Sequence, residues 1–261
     1  RRASRFATIT GKGFRPRRFR LGPWRWVALA LALAYFGLAV VAPLAILVWT
    51  SLMPYLAPVS LKALGMVTLA NHRAFLGNPF VLGAAANSLV IAVVAATVVA
   101  ALSVLVSWIV VKSKARGRRL IDILAFLPLA IPGVIIAVAL IYLYLTVTVL
   151  PVYGSIWIIA IAYVTTYLSF GSRATHGVLM QLHDDLEDAA RTAGAGWWRT
   201  FRRVVMPLAA SAIAAVWVWV FAHCLRELTS ALMLQGRDND TVPTLLFDYW
   251  TGGEPNKAAA V

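Results

Sequence analysis

At 261 residues, 61% hydrophobic and only 13% charged, the chain is too apolar for a water-soluble domain and reads as a polytopic membrane protein. Its net charge of +14 does not point to nucleic acid, because the Lys and Arg residues cluster beside apolar stretches, where they set orientation and meet anionic lipid. The single cysteine, Cys224, excludes a disulfide framework and a Cys-based metal site, and no cofactor or metal is expected in this chain.

Residues 1–25 form a basic arm with nine Lys or Arg and no acid, too long and too basic for the n-region of a signal peptide. Residues 26–261 form the transmembrane domain. Gly11-Lys12-Gly13 has no preceding strand and lacks the spacing of a phosphate-binding loop, so any ATP is expected on another chain. The sequence starts at Arg1, and a further apolar run opens at Ala258; it reads as a piece of a longer protein whose sixth span is cut short. Five spans are predicted, near 26–49, 81–111, 120–148, 155–179 and 207–234, each long enough to cross a bilayer. The second exceeds that need and should tilt or extend beyond the membrane. Lys112, Lys114, Arg116, Arg118 and Arg119 follow the second span, and Arg191, Arg199, Arg202 and Arg203 follow the fourth. The loops after the first, third and fifth hold only Lys62, Arg73, Arg237 and Lys257. This asymmetry puts the arm and both basic loops in the cytoplasm, in an all-α fold.

Within the third span, Pro128 and Pro132, followed by Gly133, remove two helical hydrogen bonds and predict a kink or break. Freed carbonyls there either line a water-filled path or pack against protein. Arg226 and Glu227 fall in the outer half of the fifth span, where ionisable groups are costly. As neighbours on a helix they point about 100° apart and cannot neutralise each other across one face. Glu227 is the first candidate to face a solute, with Arg226 as a structural or anion-facing neighbour; the alternative is an ion pair holding the helices together. Asn87 and Ser88, near the outer end of the second span, either line the path or bond between helices. Asp238, Asp240, Asp248 and Glu254 make the loop after the fifth span acidic, a solvated loop or a docking surface for an extracytoplasmic partner.

Between the fourth and fifth spans stands a polar, small-residue island, Glu187-Asp188-Ala189-Ala190-Arg191-Thr192-Ala193-Gly194, followed ten residues later by Val204-Val205-Met206-Pro207. Asp184 three residues before Glu187 reads as a helix start, and Gly194 as its stop. Ala189 and Ala190 leave a bare patch that lets a partner's backbone approach. Pro207 sits where a new membrane helix would begin, a position at which its missing N–H costs nothing.

These residues resemble the EAA loop of ABC importer permeases: Glu-Ala-Ala, three residues, Gly, nine residues, then Ile-x-Leu-Pro. The spacing matches throughout, with Asp188 for the Glu, Val204 for the Ile and Met206 for the Leu. The resemblance implies a type I importer permease fold in the bacterial inner membrane. In it Glu187, Asp188, Ala189, Ala190, Gly194 and Pro207 would belong to a coupling loop seated on a cytoplasmic ABC ATPase dimer carrying ATP and Mg. It further implies an extracytoplasmic solute-binding protein and a second permease half. The segment from Thr8 to Arg18 is similar to the linker of fused ferric-iron-type permeases, which would place that half upstream. Such permeases carry a Pro-rich segment like 128–133 and a Glu-Leu pair like Glu227-Leu228, so ferric iron is the expected cargo, with Tyr142, Tyr144 or Tyr163 as further oxygen donors. Thiamine, polyamine, sulfate and phosphonate permeases share the same core. Other readings are an amphipathic helix lying along lipid headgroups, a stand-alone channel or carrier, and a membrane hydrolase using Ser169 and His176.

Overall fold

The computed structural model describes residues 21–113, 115–147, 151–182 and 185–261, all helix and connection without strands. The arm and linker at 1–20, Lys114, Asp184 and the side chains of Glu187 and Arg191 lie outside the described residues. In chain order the helices are α1 (Trp24–Phe36), α2 (Ala42–Ser51), α3 (Leu61–Leu64), α4 (Ala70–Leu76), α5 (Pro79–Lys112), α6 (Arg118–Phe126), α7 (Gly133–Thr146) and α8 (Ile156–Leu179). They continue as α9 (Asp185–Thr192), α10 (Trp197–Thr200), α11 (Met206–Leu208), α12 (Ala210–Cys224), α13 (Thr229–Leu234), α14 (Val242–Thr251) and α15 (Pro255–Ala260).

The described residues divide into two compact units, one over Ala84–Thr244 and the other over residues 21–83 and Leu245–Val261. In the first, the middle of α5 buries Ile91, Ala92, Ala95, Ala96, Val99, Ala100 and Val104, a helical repeat that presents one small-residue face to its neighbours. Around it α12 packs on α8, and α13 packs on both α7 and α8. Gly171 lets α8 approach α5 so closely that a Cβ there would lie 2.2 Å from the Ser103 hydroxyl. Ser107 Oγ donates to the Ser172 carbonyl at 2.7 Å, and Thr175 Oγ1 reaches the Ser103 carbonyl at 3.0 Å.

In the second unit, α1, a π-turn at Gly37–Val41 and α2 make one 28-residue apolar helix. Pro43 explains the widened turn: it offers no N–H, and the Ala42 N–H bonds back to Gly37 instead. The end of α2 is closed by two asparagines. Asn71 of α4 donates to the carbonyls of Ser51 and Met53, and Asn256 of α15 to those of Thr50 and Met53. The run expected to open a sixth span is thus α15, packed on α2 and α4.

Two expectations change. Among the described residues two helices are long and apolar enough to cross a membrane alone, 24–51 and α5, and four spans result if each of two bent pairs counts as one, against five expected. The remaining expected span is α8, whose 24 residues reach about 36 Å. Its Thr, Ser, Arg and His residues lower its hydropathy, and ten of its positions are buried against protein. The third expected span is broken, as its two prolines predict. Pro128 sits in a tight 3-10 turn, Leu127–Ala130, Pro132 precedes α7 in an extended conformation, and the segments on either side meet at 111°. Finally, Pro207 does not open a span. It lies inside a helical segment from Trp197 to Leu208, preceded by a π-turn at Phe201–Val205 that bypasses its missing N–H as at Pro43. The chain bends 72° only after that segment, before α12.

Candidate functional site

At the basic end of the first unit, α9 is a short helix whose Asp188 and Ala189 are exposed and whose Ala190 is half-buried. Gly194 adopts a left-handed conformation, φ +77°, and the Ala195 N–H bonds back to the Ala190 carbonyl at 2.9 Å. That is the geometry in which glycine ends a helix, because a Cβ is disfavoured there. Beyond Gly194 the chain is fastened by aromatic rings. Trp108 of α5, 2% exposed, stacks on Trp197 at 4.3 Å and on Phe201 at 4.5 Å, and Trp198 stacks on Phe201 at 5.6 Å. Before α9, Lys112 Nζ donates to the Leu182 carbonyl at 2.5 Å. The exposed helix is therefore held on both sides to the end of α5. The rings of Trp197 and Trp198 join Trp108 and Phe201 in this stack.

About 22 Å along α12 from the 72° bend, the fifth expected span breaks. Helix α12 stops at Cys224, α13 starts at Thr229, and Arg226 and Glu227 lie between them. The Glu227 carboxylate turns back onto α13 and accepts from the Ser230 N–H at 3.1 and 3.3 Å. Its carbonyl accepts from Tyr163 Oη at 2.9 Å. Gly133 is adjacent: a Cβ on it would lie 3.1 Å from Ser230 Oγ and 3.9 Å from Glu227 Oε1. The fold thus brings together Glu227, Tyr163 and the Gly133 end of the proline-rich turn, two broken helices side by side. Asn87 is committed elsewhere, donating to the Asp240 carbonyl at 3.0 Å, while Ser88 accepts from the Val242 N–H at 2.8 Å. Ser169 donates to the Thr166 carbonyl at 2.9 Å, an arrangement of helix packing rather than of an activated nucleophile.

Two charged residues missed in the sequence hold the bent segment. Arg173 of α8 pairs with Asp122 of α6 at 3.1 Å and lies 4.4 Å from the Phe126 ring centroid. The available signal was a lone cation inside an apolar span with a lone acid 51 positions earlier, which no local spacing rule connects.

Residues 103–249 match the family model described as binding-protein-dependent transport system inner membrane component. The chain is 27% identical over 168 residues to the Fe(3+)-transport system permease protein FbpB 2 of Haemophilus influenzae, covering 64% of this chain and 33% of that one. It is 29% identical over 185 residues to the sulfate transport system permease protein CysT of Escherichia coli, covering 66% of each. The chain therefore spans from a third to just under two thirds of the length of these curated relatives. Its fold matches a solved bacterial ABC transporter involved in the import of the acidic polysaccharide alginate, with TM-score 0.71, 15% identity, and 91% and 87% of the two chains covered. An all-helical chain with broken spans, whose family model extends from the middle of α5 through the α9 loop to α14, belongs to the binding-protein-dependent transport system inner membrane components.

Proposed function

We propose that this chain is a permease of an ABC importer, with no ATP site of its own, that couples ATP hydrolysis by a separate cytoplasmic ATPase dimer to solute uptake. The carrying observation is α9. It is exposed, ended by Gly194 in a left-handed turn, and fixed at both ends to α5, so a push on it reaches a 34-residue helix. A helix merely resting on lipid has no need of that attachment. In this reading Asp188, Ala189, Ala190 and Gly194, with Glu187, form the docking face, and ATP with Mg sits on the partner. A solute-binding protein delivers cargo to the opposite face, and a second permease half, fused upstream through the basic arm, completes the pathway. The N-terminus is cytoplasmic.

The cargo is ferric iron, supported by the similarity to an Fe(3+) permease and by Glu227, Tyr163 and Gly133 meeting at the break. Sulfate is a second reading, favoured by a relative of slightly higher identity over a larger share of its length. The test is Ala190→Arg and Gly194→Trp in the complete transporter. Both should abolish ATP-dependent uptake while membrane abundance stays normal. Undiminished uptake with unchanged ATPase association in both variants would reject the coupling role.

A further inference from the structure

Arg226 and Glu227 are adjacent in the break, but their charges are handled differently. The Glu227 carboxylate is turned onto the start of α13, where backbone N–H groups receive it. Arg226 is exposed, and its one hydrogen-bond partner among the described residues is an imidazole, His223 Nε2, at 3.0 Å.

That imidazole is neutral for a geometric reason. Its Nδ1 lies 2.8 Å from the Trp219 carbonyl, and a carbonyl only accepts, so Nδ1 carries the proton and Nε2 is left to accept from Arg226. The ring is itself immobilised. It stacks on Trp219 at 3.6 Å, Trp219 stacks on Phe170 at 3.6 Å on α8, and Tyr167 meets the His223 ring edge-on at 6.1 Å. A guanidinium has five N–H donors in a rigid plane. Here it is oriented by an uncharged partner through a stacked column, its positive charge opposed by no carboxylate among the described residues. Ionisable side chains at membrane depth pair with opposite charge or face a solute path, and this one meets no carboxylate among the described residues.

Resting on the importer reading above, we infer that Arg226, positioned by His223, is a cargo contact that selects an anion bearing oxygen acceptors, either an oxyanion such as sulfate or a ferric ion carried as an anionic carboxylate chelate. Planar two-oxygen groups suit the free edge of a guanidinium. A polyamine or an uncomplexed ferric ion would meet repulsion at the same point.

The experiment uses the complete transporter, with both permease halves, ATPase and binding protein, in proteoliposomes supplied with labelled ferric citrate, labelled sulfate or labelled spermidine. Wild type should move ferric citrate or sulfate, and whichever of the two moves identifies the source of the anion. Arg226→Gln should raise KM for that anion roughly ten-fold or more, the loss expected for one charge-assisted hydrogen bond, with ATPase association unchanged. Arg226→Lys should fall between, since it keeps the charge and loses the planar fork. Substituting His223 by Phe, which retains the stack and removes the acceptor, should raise KM without lowering thermal stability of the complex. The inference is overturned by an unchanged KM in Arg226→Gln, by spermidine as the transported solute, or by release of the second permease half in Arg226→Gln, which would make the residue an inter-half ion pair. If wild type moves no solute with ATP, the importer reading itself fails, whereas the other outcomes leave that reading intact.

Discussion

Gly171 and Ser103 mark the closest approach of α5 and α8, and the contact is tight on one side and unsatisfied on the other. Ser103 Oγ is buried without a hydrogen-bond partner, so Ser103→Ala should leave stability unchanged or raise it, because no bond is lost and a desolvated hydroxyl is removed. Gly171→Ala forces a Cβ to within 2.2 Å of that hydroxyl, and overpacking of this kind costs about 1–3 kcal/mol. Combining it with Ser103→Ala should recover only part of that cost, since Val99 and Val216 stand 3.1 Å from the same Cβ. Thermal unfolding in detergent for the single and double variants gives the coupling directly. At Glu227 the same reasoning separates structure from transport. A glutamine keeps an oxygen that can accept from Ser230, so Glu227→Gln should insert and fold normally. Loss of uptake in that variant then reports a solute contact, whereas a drop in thermal stability would show that the charge is structural.

Among elements, α9 is connected to α5 by stacked rings on the side that follows it and by the Lys112–Leu182 bond on the side before it. Trp108, nearly inaccessible on α5, is stacked on two residues of the segment that follows α9. Trp108→Ala should destabilise this end of the bundle by about 3–5 kcal/mol. Trp108→Phe, which preserves a stacking face, should retain the fold and isolate the mechanical role. If the stack transmits motion, Trp108→Phe lowers solute moved per ATP hydrolysed while ATPase binding is unchanged; an unaltered ratio would confine the rings to packing. A weaker fastening joins the bent segment α6 to α8. The Arg173–Asp122 pair is 40% and 36% exposed, so Asp122→Asn should cost no more than about 1 kcal/mol, with any larger effect on uptake pointing to the angle of the bend rather than to stability.

For the molecule as a whole, orientation is the remaining expectation open to direct test. Basic residues collect where α5 and α8 end and where α9 and α10 stand. Asn239, which the loop's acidity would recommend as a labelling site, is 1% exposed and bonds the carbonyls of Ser155 and Leu234; its neighbour Asp238 is exposed. With Cys224 replaced, cysteines at Ser113 and Asp238 should react with impermeant reagents from opposite sides of the membrane. Labelling of both in intact cells would refute the proposed orientation.

Class, helical content and the family were legible in residue order, because each rests on local quantities: span length, charge beside spans, and the fixed distance from Ala189 and Ala190 through Gly194 to Pro207. Gly194 could be read as a helix stop because a left-handed turn is a property of one residue and its neighbours. The proline-rich segment announced a break, but 111° is set by how α6 and α7 pack on α8, and proline chemistry alone fixes no angle. Pro207 was misread for the same reason, since a π-turn can absorb a missing donor when the flanking helix is held by stacked rings. Only tertiary structure decided that Glu227 turns onto α13 while Arg226 turns to His223, because their partners, Ser230, Tyr163 and His223, are chosen by a helix break invisible to hydropathy. Arg173 and Asp122 likewise meet only when two helices far apart in sequence are laid side by side, and pairing at that range is a decision of packing.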